Sequence, residues 1–179
     1  MNIYQIKVTL RHINPLIWRR TQVVGDTRLG QLHHILQIVM GWTNSHMHGF
    51  RVGRDNYGAL DPDFPDDVKD ERNVRLDTVA KQGSTLIYDY DFGDGWEHEL
   101  KIEKVVDPDP AARYPVCLAG QRACPPEDCG GPPGYADLLD ILDDPEHEEY
   151  EDMAEWAGED FDAEAFDLDE VNRLLRHLR

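Results

Sequence analysis

The sequence is poor in serine and cysteine and has no long apolar run. Its two serines, Ser45 and Ser84, lie outside any G-x-S-x-G motif, so the nucleophile elbow of the α/β-hydrolases is absent. It also lacks a Walker A motif, a G-x-G-x-x-G loop and an H-E-x-x-H motif. Nothing in the sequence therefore indicates one of the standard nucleotide-binding or hydrolytic sites.

No stretch of the chain is typical of a membrane or secretory segment. The longest apolar runs, such as Ile35 to Met40, are too short to cross a bilayer. The first ten residues alternate apolar and polar side chains and lack the apolar run of a signal peptide. We therefore expect a cytoplasmic protein that does not associate with membranes.

The net charge of −18 is unevenly distributed. The segment Asp137–Glu170, called the acidic segment below, holds 17 of the 36 acidic residues and no Lys or Arg. Such a segment either solvates the protein surface or docks a basic protein partner. Direct binding of nucleic acid is disfavoured, because phosphates would be repelled.

The N-terminal part follows strand and helix periodicities in turn. Ile6, Val8 and Leu10 alternate with polar residues, and residues 17–24 read as a second strand. Thr27 is placed to cap a helix that ends at Gly41. Residues 55–75, rich in Asp and containing Pro62 and Pro65, are predicted to be mostly loop.

The clearest local signal is a β-hairpin around Gly93-Asp94-Gly95. A three-residue loop pairs Phe92 with Trp96 and Tyr90 with His98, which predicts that the aromatic residues share one buried face. In this register Asp91 lies on the solvent face, and His98 points inward.

Helical periodicity returns after residue 130, and Asp167 with Glu170 predicts a capping box for the last helix. We predict one α+β domain over 1–179, with an antiparallel sheet mainly from the N-terminal half. The helix after the second strand and the helices of the acidic C-terminal third pack with this sheet. Its parts are a sheet with one helix (1–107), a cysteine- and proline-rich loop (108–134) and an acidic helical part (135–179).

All three cysteines lie in this loop, at positions 117, 124 and 129. Cysteine thiolates and histidine bind zinc in closed tetrahedral sites, so Cys117, Cys124, Cys129 and His98 are candidate ligands of a structural zinc ion. The alternative is that the cysteines are packing residues and that His98 is a hydrogen-bonded core histidine.

A second candidate site lies around the hairpin. His46, His48, Asp91 and Asp94 have side chains that could hold a divalent cation beside a substrate. The alternative is that these polar groups only solvate the tip of the hairpin.

Several stretches together resemble a known family. They are HHILQIVMGW, SHMHGF, YDFGDGWEHEL, CLAGQRACPPEDCGGPPGY and FDAEAFDLDEVN. They are similar to the Ri-plasmid (pRiA) ORF-three-like family, whose members are also described as insertion-element passenger proteins. The resemblance covers about Tyr4 to Asn172 and implies a compact α+β domain associated with plasmids and mobile elements. It implies no activity.

Two classes of function follow from these observations. The expected function is that of a mobile-element-associated binding or adaptor domain, with a structural metal- or thiolate-bearing loop and a basic partner at the acidic segment. The alternative is a metal-dependent hydrolase that acts on a small or nucleic-acid substrate. An enzyme requires a concave pocket in which several ionisable groups converge, whereas an adaptor requires only an exposed face.

Overall fold

The computed structural model describes residues 1–60, 63 and 68–178. Within these ranges the strands are β1 (Ile3–Leu10), β2 (Trp18–Val24), β3 (His48–Val52), β4 (Asp55–Gly58), β5 (Lys69–Asp70), β6 (Thr85–Tyr90), β7 (Trp96–Val106) and β8 (Val116–Gln121). The helices are α1 (Leu29–Met40), α2 (Leu76–Val79), α3 (Gly131–Asp143), α4 (Tyr150–Ala157) and α5 (Leu168–Leu175), with a 3-10 turn at Glu71–Asn73.

The strands form one sheet in the order β5-β4-β3-β6-β7-β1-β2-β8. Every pairing is antiparallel except that of β4 with β5. The predicted α+β class is therefore confirmed. No helix within the described ranges is long and apolar enough to span a membrane.

The core lies on one face of the sheet, beneath α1. Alternate residues of β1, β2, β6 and β7 point inward, while the polar residues between them are partly exposed. This alternation is typical of an antiparallel sheet with one solvated face. Helix α1 begins one residue later than a Thr27 cap would place it, at Leu29, and ends as predicted at Gly41, whose φ is 111°.

The hairpin differs from the predicted register. Tyr90 pairs with Trp96 and Tyr88 with His98, so five residues, 91–95, connect the strands. Asp91 adopts a left-handed conformation with φ of 56°, which shifts the alternation by one residue. Asp91 is therefore buried and Phe92 is 59% exposed, the reverse of the prediction.

The cysteine- and proline-rich segment is more regular than predicted. It contains the edge strand β8, and Gly131 at its end begins α3. Helix α5 docks on β8 through Asn172, whose side chain accepts from the backbone nitrogen of Cys117 and donates to its carbonyl oxygen. Asp167 caps α5 by accepting from the backbone nitrogen of Glu170, but the predicted capping box is incomplete, because the Glu170 carboxylate pairs with Arg173.

The predicted loop 55–75 is only partly described. Its described residues include β4 and β5 at the sheet edge and the 3-10 turn. Pro62 and Pro65, which suggested the loop, lie outside the described residues.

A buried arginine joins α1 to the far edge of the sheet. Arg19 is 1% exposed, and burial lowers its pKa to about 10, so it is charged at neutral pH. No carboxylate of the described residues pairs with it; its guanidinium instead stacks 4.2 Å from the centre of the Phe166 ring. It donates hydrogen bonds to the carbonyl oxygens of Trp18, Val39, Met40 and Gln121.

We predict that Arg19→Met lowers the free energy of unfolding by about 3 kcal/mol, because it leaves buried carbonyl oxygens without donors. Urea denaturation followed by circular dichroism measures the change. The control is Arg20→Met, which removes a partly exposed ion pair with Glu103 and should cost about 1 kcal/mol or less. Equal losses in the two variants would contradict a special role for Arg19.

Candidate functional site

A cavity of about 600 Å³ lies beside α1, β3 and β4. We call it the histidine cavity, because four of the eight histidines of the chain line it. These are His33, His34, His46 and His48. Its walls are mainly apolar, and the larger apolar side chains are Met47, Phe50, Tyr57, Val68 and Phe92.

Two of these histidines form a stacked pair. The rings of His33 and His48 are parallel within 4°, and their centres are 3.4 Å apart. At this distance a charge on one imidazole disfavours a charge on the other. Helix α1 and strand β3 are therefore joined through a histidine pair that sequence spacing does not reveal.

Hydrogen bonds define His33 as neutral. Gln37 donates to the Tyr88 hydroxyl at 2.9 Å, and this hydroxyl donates to His33 Nδ1 at 2.7 Å. His33 Nε2 then donates to Asn44 Oδ1 at 2.8 Å. Burial, together with the neighbouring His48, lowers the pKa of His33 to about 3, in agreement with the neutral form.

His48 is held by a buried carboxylate. Its Nε2 lies 2.9 Å from each oxygen of Glu71, a residue that is 6% exposed. Within the described part of the chain, the other ring nitrogen of His48 makes no hydrogen bond. This nitrogen is the only free one in the stacked pair.

A second group, the His46 cluster, consists of His46, Asp91, Glu127 and Asp128. His46 Nε2 lies 2.9 Å from Asp128 Oδ1, 3.6 Å from Asp91 Oδ2 and 3.8 Å from Glu127 Oε2. Ligand atoms of His46, Asp91 and Asp128 lie within 4.8 Å of one another. Among the described residues, this is the only set of three His, Cys, Asp or Glu side chains that meets this distance.

Hydrogen bonds hold Glu127 and Asp91 by the oxygens that face away from the cluster. Glu127 Oε1 accepts from the backbone and hydroxyl of Thr43 and from the Tyr90 hydroxyl. Asp91 Oδ1 accepts from the backbone nitrogens at positions 93 and 94. The second oxygen of each carboxylate is therefore directed at His46.

Asp94 and His98, which were also predicted, are not members of this cluster. Asp94 accepts from the backbone nitrogen of Gly130 at 3.1 Å. His98 is fully buried and accepts from Trp42 Nε1 while donating to the Tyr88 carbonyl oxygen. Of the second candidate site, His46 and Asp91 come together, and His48 lines the same cavity.

Among the described residues, no three of Cys117, Cys124, Cys129 and His98 have ligand atoms within 4.8 Å of one another. Cys117, Cys124 and Cys129 are free, and no cysteine joins the metal-capable set found among the described residues. Burial raises the pKa of each thiol, to about 11 for Cys129. All three are therefore protonated at neutral pH in this arrangement.

Sequence reasoning missed four residues of these two groups. Glu127 and Asp128 lie between Cys124 and Cys129, in the motif whose sulfurs drew attention instead. The sequence signal that could have identified them is their position on a short rigid loop, between two prolines and a cysteine. His33 and Glu71 left no comparable signal, because their partners lie more than ten residues away.

The sequence matches a known protein family over most of its length. Residues 2–170 match the model of the family described as "Plasmid pRiA4b ORF-3-like protein". The chain belongs to this family. It is 40% identical to the uncharacterized protein y4hQ of Sinorhizobium fredii, over 99% of this chain and 92% of the relative.

A solved structure resembles the whole fold. The crystal structure of protein MM3350 of unknown function, from Methanosarcina mazei Go1, is 38% identical and superposes with a TM-score of 0.89. The match covers 94% of this chain and 97% of the other. Neither relative's name states an activity.

The burial of His98 predicts a loss of stability in acid. Its pKa is lowered to about 4, so below its ordinary pKa of about 6.5 only the unfolded chain takes up a proton at this position. Stability should fall as the pH drops from about 6.5 to 4, by about 3 kcal/mol from His98. Urea denaturation between pH 4 and 7 measures this dependence.

His98→Gln should make the dependence on pH shallower, and His33 should account for part of what remains. The matched control is His177→Gln, since His177 is exposed and its removal should leave the slope unchanged. An unchanged slope in His98→Gln would show that His98 is not buried as a neutral group.

Proposed function

We propose that the protein is a hydrolase that acts on a small substrate in the histidine cavity. The observation that carries this proposal is the convergence of ionisable groups in one concave site, the feature that separates an enzyme from an adaptor. A volume of about 600 Å³ suits a small organic molecule. Apolar walls would bind its carbon skeleton, and the polar groups would face its reacting bond.

His48 is the proposed general base. A histidine that is oriented by a carboxylate through one nitrogen, with the other nitrogen free, is the arrangement that general base catalysis requires. Glu71 supplies the carboxylate at 2.9 Å, and stacking on His33 fixes the plane of the ring. A water molecule bound at the free nitrogen would be activated toward the substrate.

A nucleic-acid substrate is less well supported than a small one. The net charge is −18, and the His46 cluster adds three carboxylates beside the cavity. Arg51, the cationic side chain that lines the cavity, is already paired with Asp89 and Glu97. A polyanionic strand would therefore find no free cation in the described part of this site.

We predict that the protein hydrolyses at least one of a panel of chromogenic esters, amides and phosphate monoesters. His48→Gln should lower kcat/KM about 100-fold or more, because the general base is lost. Glu71→Gln should lower it less, since the ring remains stacked. The rate of chromophore release at neutral pH measures both effects.

The control for this experiment is His34→Gln, which changes a cavity histidine that has no hydrogen bond to Glu71. Its rate should stay within about threefold of the native protein. If His48→Gln and His34→Gln have equal effects, His48 is not the base, and if no substrate of the panel is hydrolysed, the hydrolase proposal fails.

We further propose that the acidic segment docks a basic partner. A groove of about 610 Å³ lies between α3 and α4 and has the apolar residues Leu142, Ala154, Ala157 and Phe161 in its lining. Glu151, Glu155 and Glu159 also line it, and none of the three has a cationic partner among the described residues. Apolar contacts and unpaired carboxylates together suit a Lys- or Arg-rich amphipathic segment.

We predict that a synthetic amphipathic Lys/Leu peptide binds this groove and that its affinity falls steeply between 50 and 150 mM salt. Replacing Glu151, Glu155 and Glu159 with Gln should weaken binding about tenfold, as measured by fluorescence anisotropy. The matched control changes Asp137, Asp140 and Glu148 to amides, which removes the same charge outside the groove. If both sets of substitutions weaken binding equally, the peptide is attracted by the overall negative charge and not by the groove. Tight binding of duplex DNA at 150 mM salt would contradict the partner proposal.

A further inference from the structure

The geometry of the His46 cluster points to a site for a divalent transition-metal ion. We propose that His46 Nε2 and one carboxylate oxygen each of Asp91 and Asp128 are its ligands, because these three atoms lie within 4.8 Å of one another. Ligand atoms bound at about 2.0–2.3 Å from one ion lie about 3–4 Å from each other. The distances from His46 Nε2 to Asp128 Oδ1 and to Asp91 Oδ2, 2.9 and 3.6 Å, fall in or next to this range, and Glu127 Oε2, 3.8 Å from His46 Nε2, lies beside them.

Two of these atoms are buried without a hydrogen bond. Both His46 Nε2 and Glu127 Oε2 are inaccessible to solvent and have no hydrogen-bond partner. His46 Nε2 is 2.9 Å from Asp128 Oδ1, but the two atoms are not aligned as donor and acceptor. Atoms that face one point without bonding to each other are expected around a shared cation, since buried polar groups otherwise find partners.

Asp91 supplies a third, independent indication. Its side chain is 9% exposed, and within the described residues its Oδ2 makes no hydrogen bond and is directed at His46 Nε2. No Lys or Arg of the described part pairs with Asp91, Glu127 or Asp128. Burying a carboxylate without a counter-charge is costly, so a cation at this position would remove a destabilising arrangement.

The donor set indicates which ions would bind. One imidazole nitrogen and two carboxylate oxygens suit first-row divalent ions such as Mn²⁺ and Zn²⁺. Ca²⁺ and Mg²⁺ prefer ligand sets made of oxygen alone. Asp128 is 69% exposed, so an ion could enter from solvent on its side, and a water molecule could complete the coordination there.

The site extends the hydrolase proposal without depending on it. His46 lines the histidine cavity, so an ion held there would lie next to the bound substrate and could activate water. This catalytic use rests on the proposed function, whereas binding of the ion does not. Binding and hydrolysis are therefore measured separately.

The test is titration of the chelator-treated full chain with Mn²⁺ alone, followed by calorimetry and by the loss of the free-ion electron paramagnetic resonance signal. We expect one equivalent to bind and the melting temperature to rise with Mn²⁺. Asp128→Asn should weaken binding about tenfold or more and abolish the rise. Because Asp128 is exposed, this variant should fold, and Asp91→Asn, which keeps the Oδ1 acceptor, should give the same result.

The controls separate this site from the others. Asp94→Asn changes a nearby carboxylate that accepts from Gly130, and Cys129→Ser changes the motif's sulfur; neither should alter Mn²⁺ affinity. The proposal is overturned if no Mn²⁺ binds, if Asp94→Asn weakens binding as much as Asp128→Asn, or if Cys129→Ser releases the ion. If Asp128→Asn still hydrolyses the substrate, the ion takes no part in the reaction. The Mn²⁺ titration alone then decides whether the cluster binds metal.

Discussion

The buried Arg19 guanidinium joins the two segments that lead into the His46 cluster. It holds the last carbonyl oxygens of α1 and that of Gln121 at the end of β8. The loop that follows α1 carries His46, and the loop that follows β8 carries Glu127 and Asp128. One side chain thus anchors the starting points of two loops that are about 80 residues apart in sequence and that meet at the hairpin tip.

Local patterns predicted most of the fold, and the error in the hairpin has a local cause. Alternation placed β1, β2, β6 and β7, and three- and four-residue spacing placed α1 and α5, since both signals depend only on neighbouring residues. The hairpin was paired wrongly because alternation assumes extended backbone. Asp91 breaks that assumption with its left-handed conformation, and its carboxylate turns inward while Phe92 turns out.

The candidate site was predictable only in part, because its members come from distant segments. Histidine spacing drew attention to His46 and His48, and the hairpin tip drew attention to Asp91. The cysteine motif was correctly singled out, but the emphasis fell on its sulfurs. In the structure its carboxylates, Glu127 and Asp128, face the site. A motif that contains both cysteines and carboxylates does not reveal which of the two lies next to His46 and Asp91 in the fold.

The two groups beside the cavity hold their carboxylates in different ways. In the stacked pair, the single carboxylate, Glu71, is hydrogen-bonded to His48 Nε2, and burial keeps His33 neutral. The His46 cluster holds three carboxylates with no Lys or Arg partner in the described part of the chain, and their repulsion opposes the approach of the loops. Hydrogen bonds from Thr43, Tyr90 and the hairpin amides offset this repulsion only partly. A bound ion would therefore stabilise the protein at the place where carboxylates repel each other most. Its binding would be coupled to the ordering of the loops that carry the His46 cluster.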